Sequence, residues 1–438
     1  MDNLALIGML LAPFLIAALI YREEMILYFL ILDSWIILRI SQMVFFHPAL
    51  SLNRLLTVFA FLVVVTKFWI KGKSIVPRSG LNILGVLVVV FLIYLAYSYY
   101  SYTGKIEFNL VNNIVFFYLC VLLLQDDYLR KFNIIAMIVV IIVAILSISS
   151  LFNIVSLGDV GQRSIAGNRN HTAFYILEGV TLMFALGYTR VNSRFIRIII
   201  NIVIACGLVA IVLSLGRTIT TIALASMLFY IYKGYIKKKT ALVACVLVIF
   251  VALFQFDKVV SFKDKLFRVP DGGNNSVLSL DEKDLGAFTS GRSGAYEIAW
   301  DLYLDNPITG IGYDRWAGNV TKGQHGSSLH SRWLQILVET GPFGAILYLA
   351  LYLFSIIYLY RISRRPGYAA SREKHIARAI LVGLSGFFLM GITDNHGYTD
   401  RIFYLFLAMT AVMYSNNRKG YKTDVEGGGD DSPALPGK

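Results

Sequence analysis

Apolar runs of membrane-spanning length recur from one end of the chain to the other, and this repetition restricts the possible folds more than any other feature. A bilayer core of roughly 30 Å requires about 20 mostly apolar residues per helix. The runs come too often, and are too long, for the core helices of a water-soluble fold. The composition agrees, with 57% hydrophobic and 15% charged residues. The sequence therefore predicts an all-α, polytopic transmembrane helical bundle.

We expect about 12 or 13 transmembrane helices. Asp33 and Arg39 interrupt the second span, and the segment 195–233 divides in more than one way around Arg217. The first apolar run has no basic segment before it and no small-residue cleavage site after it, so we interpret it as a retained helix. The expected spans are roughly 3–20, 25–46, 54–70, 81–98, 110–124, 133–155, 172–189, 195–215, 218–233, 240–255, 333–360, 376–393 and 401–415.

The positive charge indicates how these spans are oriented. The formal net charge is +13, but the basic residues form short clusters between apolar runs rather than one face, which argues against nucleic acid as a partner. The clusters occur at every second connection, so these connections face the cytoplasm. They are Lys71/Lys73/Arg78, Arg130/Lys131, Arg190/Arg194/Arg197, Lys237/Lys238/Lys239, Arg361/Arg364/Arg365 and Arg418/Lys419/Lys422.

The alternate connections face outward, and one of them is long enough to be a structural element of its own. Apolar residues recur at helical spacing over 295–304, after a Thr-Ser-Gly start signal, which predicts an amphipathic surface helix. We therefore divide the chain into N-terminal transmembrane helices (1–255), a long outward loop with a surface helix (256–332), C-terminal transmembrane helices (333–415) and a disordered cytoplasmic tail (416–438).

Arginines in the outward connections are the main candidates for function. Arg217 stands between two apolar runs, where a charge is costly unless it lines a polar cavity; the alternative is an arginine that extends its charge to the membrane interface. Arg292 would begin the surface helix, whose backbone N–H groups favour an anion, although an ordinary exposed arginine is the alternative. His330 opens a later apolar span. Arg163, Arg169, Arg315 and Arg332 complete the set.

Other chemistry has little support in the sequence. It contains no Walker loop, HExxH, GxSxG or CxxC motif, which argues against nucleotide-driven transport and against zinc or serine hydrolysis. Cys120, Cys206 and Cys245 lie in apolar runs and are expected to be inert thiols. The intramembrane acids are few, chiefly Asp33 and Glu178, so a relay of carboxylates is not expected.

Three motifs in this order resemble the O-antigen ligase and O-antigen polymerase superfamily of bacterial envelope glycan transferases. The first is Leu213-Ser-Leu-Gly-Arg217-Thr-Ile-Thr. The second combines Gly291-Arg292, Trp300 and Asn306-Pro-Ile-Thr-Gly-Ile-Gly312. The third is His330-Ser-Arg-Trp-Leu-Gln-Ile-Leu-Val-Glu-Thr-Gly-Pro-Phe-Gly344, which opens the next helix.

The resemblance implies a GT-C-like transferase in the bacterial inner membrane whose active site faces the periplasm. It would take a glycan from undecaprenyl pyrophosphate without a metal or cofactor. Arg217 and Arg292 match the family's essential arginines, and His330 matches its loop histidine. Gly167-Asn-Arg-Asn170 looks like the family's asparagine-bearing turn. The candidates for substrate binding are Arg163, Arg169, Asn170 and Arg332.

Three functions remain open from the sequence. The first is a ligase that transfers the glycan to lipid A-core with inversion at the anomeric carbon. The second is a polymerase that extends a lipid-linked glycan from the same donor site, because the two enzymes differ in acceptor. The third is a flippase or other transporter of lipid-linked oligosaccharide, which would need polar groups at the bilayer midplane. Membrane lipid is an expected partner in each case.

Overall fold

A computed structural model describes residues 23–32, 45–47, 50–77, 82–151, 163–164, 167–189, 194–214, 217–233, 292–316, 329–364, 370–393 and 400–426. These residues form twelve helices and two short antiparallel strand pairs. The helices are α1 (Glu23–Leu32), α2 (Leu52–Ile70), α3 (Ile83–Thr103), α4 (Phe108–Leu124), α5 (Tyr128–Leu151), α6 (Arg169–Thr189), α7 (Arg194–Leu213), α8 (Arg217–Tyr232), α9 (Arg292–Asp305), α10 (Arg332–Arg364), α11 (Ala370–Thr393) and α12 (Arg401–Glu426). The strands are β1 (Phe45–His47), β2 (Leu50–Ser51), β3 (Arg163–Ser164) and β4 (Gly167–Asn168).

Five of the described helices are long and apolar enough to cross a membrane, namely α3, most of α5 and α7, α10 and most of α11. This confirms the predicted polytopic helical bundle. The expected spans 3–20 and 240–255 lie outside the described residues. The final helix, α12, continues to Glu426 and so covers the first part of the segment predicted as a disordered tail, 416–438. It ends where three consecutive glycines, which disfavour helix, follow in the sequence.

Helix α6 occupies the centre of the bundle. Its residues 172–185 are all buried, and it packs against α5, α7, α8 and α11. Gly179 permits the close approach of α5, since an added Cβ would lie 2.3 Å from Val143 Cγ2. Helix α11 in turn contacts α10 and α12. The first half of the described bundle is therefore joined to the second half by the contact of α6 with α11, together with those of α3 with α10 and of α4 with α12.

Helix α10 is broken near its start, whereas the sequence predicted one continuous span over 333–360. Gly341 adopts φ 68° and ψ −173°, and Pro342 follows it. Proline has no N–H to donate and disfavours helical geometry in the preceding residue. The break separates α10a (332–340) from α10b (342–364), and α10a folds back, so that the Trp333 ring lies 4.6 Å from that of Tyr348.

Replacement of Gly341 by alanine tests this break. The positive φ and extended ψ of Gly341 are essentially restricted to glycine and cost another residue about 1–3 kcal/mol, and here the added Cβ would also lie 2.1 Å from the Ile308 carbonyl oxygen. Gly104→Ala is the matched control, because Gly104 has φ 64° but no atom within 4 Å of an added Cβ. We expect Gly341→Ala to lower the thermal unfolding midpoint in detergent clearly more than Gly104→Ala does; equal losses would contradict the steric argument.

Candidate functional site

Several helix ends meet at one end of the bundle, which we call the site end. Close to the start of α6, the Tyr175 hydroxyl donates to Asp400 Oδ1, just before α12, at 3.4 Å. The Thr393 hydroxyl, at the end of α11, donates to that of Thr218 in the first turn of α8 at 3.1 Å. These contacts bring the starts of α6, α8 and α12 together with the end of α11.

Helices α9 and α10a add a small second core at the site end. The Trp333 indole N–H of α10a donates to the Phe388 carbonyl of α11 at 3.1 Å, which joins α10a to the bundle. Helix α9 confirms the helix predicted over 295–304, and it packs against α10a. Its opposite side leaves Trp300 50% and Leu304 57% exposed. The buried residues of this second core are Ala295, Ala299, Ile311, Trp316, Leu329 and Val338.

Four arginines proposed from the sequence are the first residues of helices. Arg169 begins α6, Arg217 begins α8, Arg292 begins α9 and Arg332 begins α10. A helix start carries partial positive charge, so a cation there is unfavourable by about 0.3–1 kcal/mol unless an anion compensates it. An anion at these positions would gain from both the arginine and the free backbone N–H groups.

The substrate-binding candidates before α6 lie in a short turn. Arg163 pairs with Asn168 across the β3–β4 ladder, and Arg169 and Asn170 form the first turn of α6. The asparagine-bearing segment is thus half strand and half helix. The side chains of these four residues lie outside the described part, as do those of Arg217 and Arg292.

His330 has an unusual backbone conformation. Its φ is 52°, in the left-handed region, which histidine visits more readily than most residues, and its side chain is half-buried. Ser331 then caps α10a, because its hydroxyl accepts the Leu334 N–H at 3.3 Å. Sterically costly conformations of this kind concentrate at functional sites. The geometry is therefore compatible with the histidine role that the resemblance implies.

Arg332 takes part in a chain of partly buried hydrogen bonds that was not apparent from the sequence. Its Nη1 donates to Gln335 Oε1 at 3.0 Å, and Gln335 Nε2 donates to Glu339 Oε1 at 3.0 Å. The same oxygen accepts the Trp316 backbone N–H at 3.2 Å. The four-residue spacing from 335 to 339 was the available signal, but the partner at 316 is distant in sequence.

The segment 306–316, which we call the glycine segment, is fixed to α10a by its backbone. The N–H groups of Ile311 and Gly312 donate to the carbonyls of Val338 and Glu339, each at 2.9 Å. Gly312 has φ 96°, and an added Cβ would lie 2.7 Å from the Tyr102 ring. Only glycine therefore fits this close approach.

Glu178 is the second feature that sequence reasoning did not assign. It is fully buried in α6, and neither carboxylate oxygen has a hydrogen-bond partner among the described residues. Added Cβ atoms at Gly383 and Gly386 of α11 would lie 2.6 and 2.9 Å from its two oxygens. Asp400 is near enough to interact electrostatically with it. The two glycines thus form the space that this side chain occupies.

Metal ligands do not gather in the described part of the chain: no three His, Cys, Asp or Glu side chains there are placed to hold an ion. Cys120 is buried, Cys206 is half-buried and both are free thiols. Cys245 lies outside the described residues. The chemistry that the described site end can offer is that of arginine, histidine, buried carboxylates and backbone N–H groups.

The helices and this site end together define a multi-pass membrane protein with cationic helix starts at one end. Residues 202–349, about a third of the chain, match the family described as O-Antigen ligase. The match confirms the resemblance to the O-antigen ligase and polymerase superfamily, and it covers Arg217, Arg292 and His330. It indicates a glycan-processing enzyme of ligase or polymerase type. No curated protein matches the chain.

Asp314 provides a pH-dependent test of the glycine segment. Desolvation raises the pKa of this carboxyl, Glu107 raises it further and Arg332 opposes both. An acid whose pKa is higher in the folded state destabilises the fold once it ionises, so stability falls as pH rises above about 3.9, its ordinary value. Position 314 is exposed, so solvent weakens this effect. Asp314→Asn should therefore raise the unfolding midpoint at pH 7 slightly, and this gain should shrink toward pH 4.

Asparagine suits this substitution because it tolerates the φ of 59° at position 314. Asp301→Asn on the exposed side of α9 is the matched control, and it should leave the midpoint nearly unchanged at both pH values. Thermal unfolding in detergent at both pH values gives the midpoint of each variant. A gain for Asp314→Asn that is the same at pH 4 and pH 7 would contradict the electrostatic explanation.

Proposed function

We propose that this protein is an O-antigen ligase that transfers a glycan from undecaprenyl pyrophosphate to a sugar hydroxyl of lipid A-core, at the periplasmic face of the bacterial inner membrane. One observation carries the proposal: helices α6, α8, α9 and α10 each start with an arginine. Arginines at helix starts favour a bound anion, and the family match covers three of these four starts.

The donor supplies such an anion in its pyrophosphate. Arginine binds phosphate oxygens through two parallel hydrogen bonds. In the proposed mechanism, Arg217 and Arg292 hold the pyrophosphate and stabilise the negative charge that grows on it as it leaves. Arg163, Arg169, Asn170 and Arg332 bind the remainder of the phosphate and glycan. This arrangement accounts for charges whose location is otherwise unfavourable.

His330 is the proposed general base. The acceptor hydroxyl oxygen forms a bond to the anomeric carbon, while the bond from that carbon to the phosphate oxygen breaks and its electron pair leaves with the pyrophosphate. The hydroxyl proton passes to the imidazole. Attack opposite the leaving group inverts the anomeric configuration. A general base of this kind contributes typically 10²- to 10⁴-fold to the rate.

Complementation tests the proposal in a strain that lacks this gene. We expect Arg217→Ala, Arg292→Ala and His330→Asn to abolish glycan-capped lipopolysaccharide on gels while long lipid-linked glycan accumulates. Asparagine is chosen at 330 because it tolerates the left-handed backbone but cannot act as a base. Arg361→Ala, at the exposed opposite end of α10, is the control and should complement fully.

The other outcomes identify other functions. If lipopolysaccharide is capped with single repeats and no long lipid-linked glycan accumulates, the protein is a polymerase that uses the same donor site. Lipid-linked glycan retained on the cytoplasmic side would indicate a transporter. Normal capping in all three variants would contradict the roles given to these residues.

A further inference from the structure

We propose that Gln335 and Glu339 are positioning residues: Glu339 ties α10a to the glycine segment, Gln335 ties Arg332 to Glu339, and together they set the position of Arg332 and His330. This inference rests on the proposed function, because it assigns residues to the same site. Neither residue is given a direct contact with substrate. They act through the hydrogen-bond chain from Arg332 through Gln335 and Glu339 to the Trp316 backbone.

Burial makes this chain strong. Glu339 is 0% exposed and Arg332 is 8% exposed, while Gln335 between them is half-buried, so water competes least for the bond from the Trp316 N–H to Glu339. The Arg332 guanidinium is ionised, and hydrogen bonds from ionised groups are about twice as strong as neutral ones. The first two links lie within α10a, and the last one, from the Trp316 N–H to Glu339, joins α10a to the glycine segment. The chain therefore opposes any sliding of one segment along the other.

Position 335 requires a side chain with both a hydrogen-bond acceptor and a hydrogen-bond donor, and the amide of glutamine provides both. Its oxygen accepts from Arg332 and its nitrogen donates to the Glu339 carboxylate. Leucine offers neither atom, and glutamate offers acceptors only. Gln335→Glu would keep the contact to Arg332 but would place two carboxylates in contact.

Position is transmitted to His330 through the start of α10a. His330 lies two residues before Arg332, and Ser331 between them caps the helix. A rotation of α10a would therefore move the imidazole together with the guanidinium. Removal of the amide at 335 takes one hydrogen-bond partner from Arg332 and one from Glu339, so that neither side chain is held in its present position. Transfer then slows because reacting groups must be held close to their productive geometry.

Exchange of the amide and the carboxylate between positions 335 and 339 tests this hydrogen-bond chain. The assay uses the purified full-length protein, with lipid-linked glycan as donor and lipid A-core as acceptor. Gln335→Glu should lower kcat/KM about tenfold at pH 8 and less at pH 6, where a shared proton relieves the two carboxylates. The charged groups around position 335 are Arg332 and Glu339 on α10a, with Asp314 on the glycine segment and Glu107 beyond it.

The double variant Gln335→Glu with Glu339→Gln restores one carboxylate and one amide to the chain. It should recover kcat/KM to within about threefold of wild type at both pH values. Glu297→Gln, the same change on the exposed face of α9, is the control and should have no effect. A Gln335→Glu variant with the wild-type pH profile, or a double variant whose loss equals the product of the single losses, would overturn the proposal.

Hydrogen exchange of the peptide containing Trp316 gives a second test that needs no activity. Glu339→Leu removes the acceptor of the Trp316 N–H and should speed its exchange at least tenfold, whereas Glu339→Gln keeps an acceptor oxygen and should preserve protection. Equal protection in both variants would overturn the proposal. A wild-type protein that transfers no glycan would instead contradict the proposed function, while the exchange result still decides whether the chain exists.

Discussion

The break at Gly341 leaves helix carbonyls without their usual partners, and the organisation of the site end depends on how these carbonyls are satisfied. A helix end leaves four carbonyls free. The carbonyls of Val338 and Glu339 accept from the glycine segment, and that of Thr340 accepts from the Tyr94 hydroxyl of α3 at 2.8 Å. Each bond contributes about 1 kcal/mol net, but an unsatisfied buried carbonyl would cost more. The break in α10 therefore depends on the glycine segment, which supplies N–H donors to the freed carbonyls, and the glycine segment depends on the break for its acceptors.

Arginines at the site end differ in their surroundings, and this difference distinguishes a structural arginine from one that is a candidate for function. Arg401, the first residue of α12, is buried, donates to the Thr57 hydroxyl at 3.1 Å and lies 5.3 Å from the Phe116 ring centre. It is an internal packing element. Arg332 instead combines a structural bond to Gln335 with a location beside His330. The same residue type at the same helix position thus serves two purposes, according to its neighbours.

The sequence was sufficient to predict the helical bundle and the candidate arginines, but not the contacts that hold the site residues in place. Long apolar runs predict helices because the length requirement of a bilayer is local. The break in α10 was missed because an average over an apolar run does not detect a single backbone conformation at Gly341. The contact between Trp316 and Glu339 was missed because it joins residues far apart in the chain. Glu178 was noticed as an intramembrane acid, but the glycines that surround its carboxylate belong to α11 and become neighbours only after folding.

The space around Glu178 also constrains the order in which the protein is made. Chain synthesis proceeds from the N-terminus, so α6 enters the membrane before Gly383 and Gly386 of α11 exist. During that interval the Glu178 carboxyl lacks its native surroundings, and a carboxyl that is removed from water without a partner is costly. Until α11 is made, the Glu178 side chain lacks the glycine surface that encloses it in the folded protein. The last helices of the chain thus complete the insertion of a helix made much earlier.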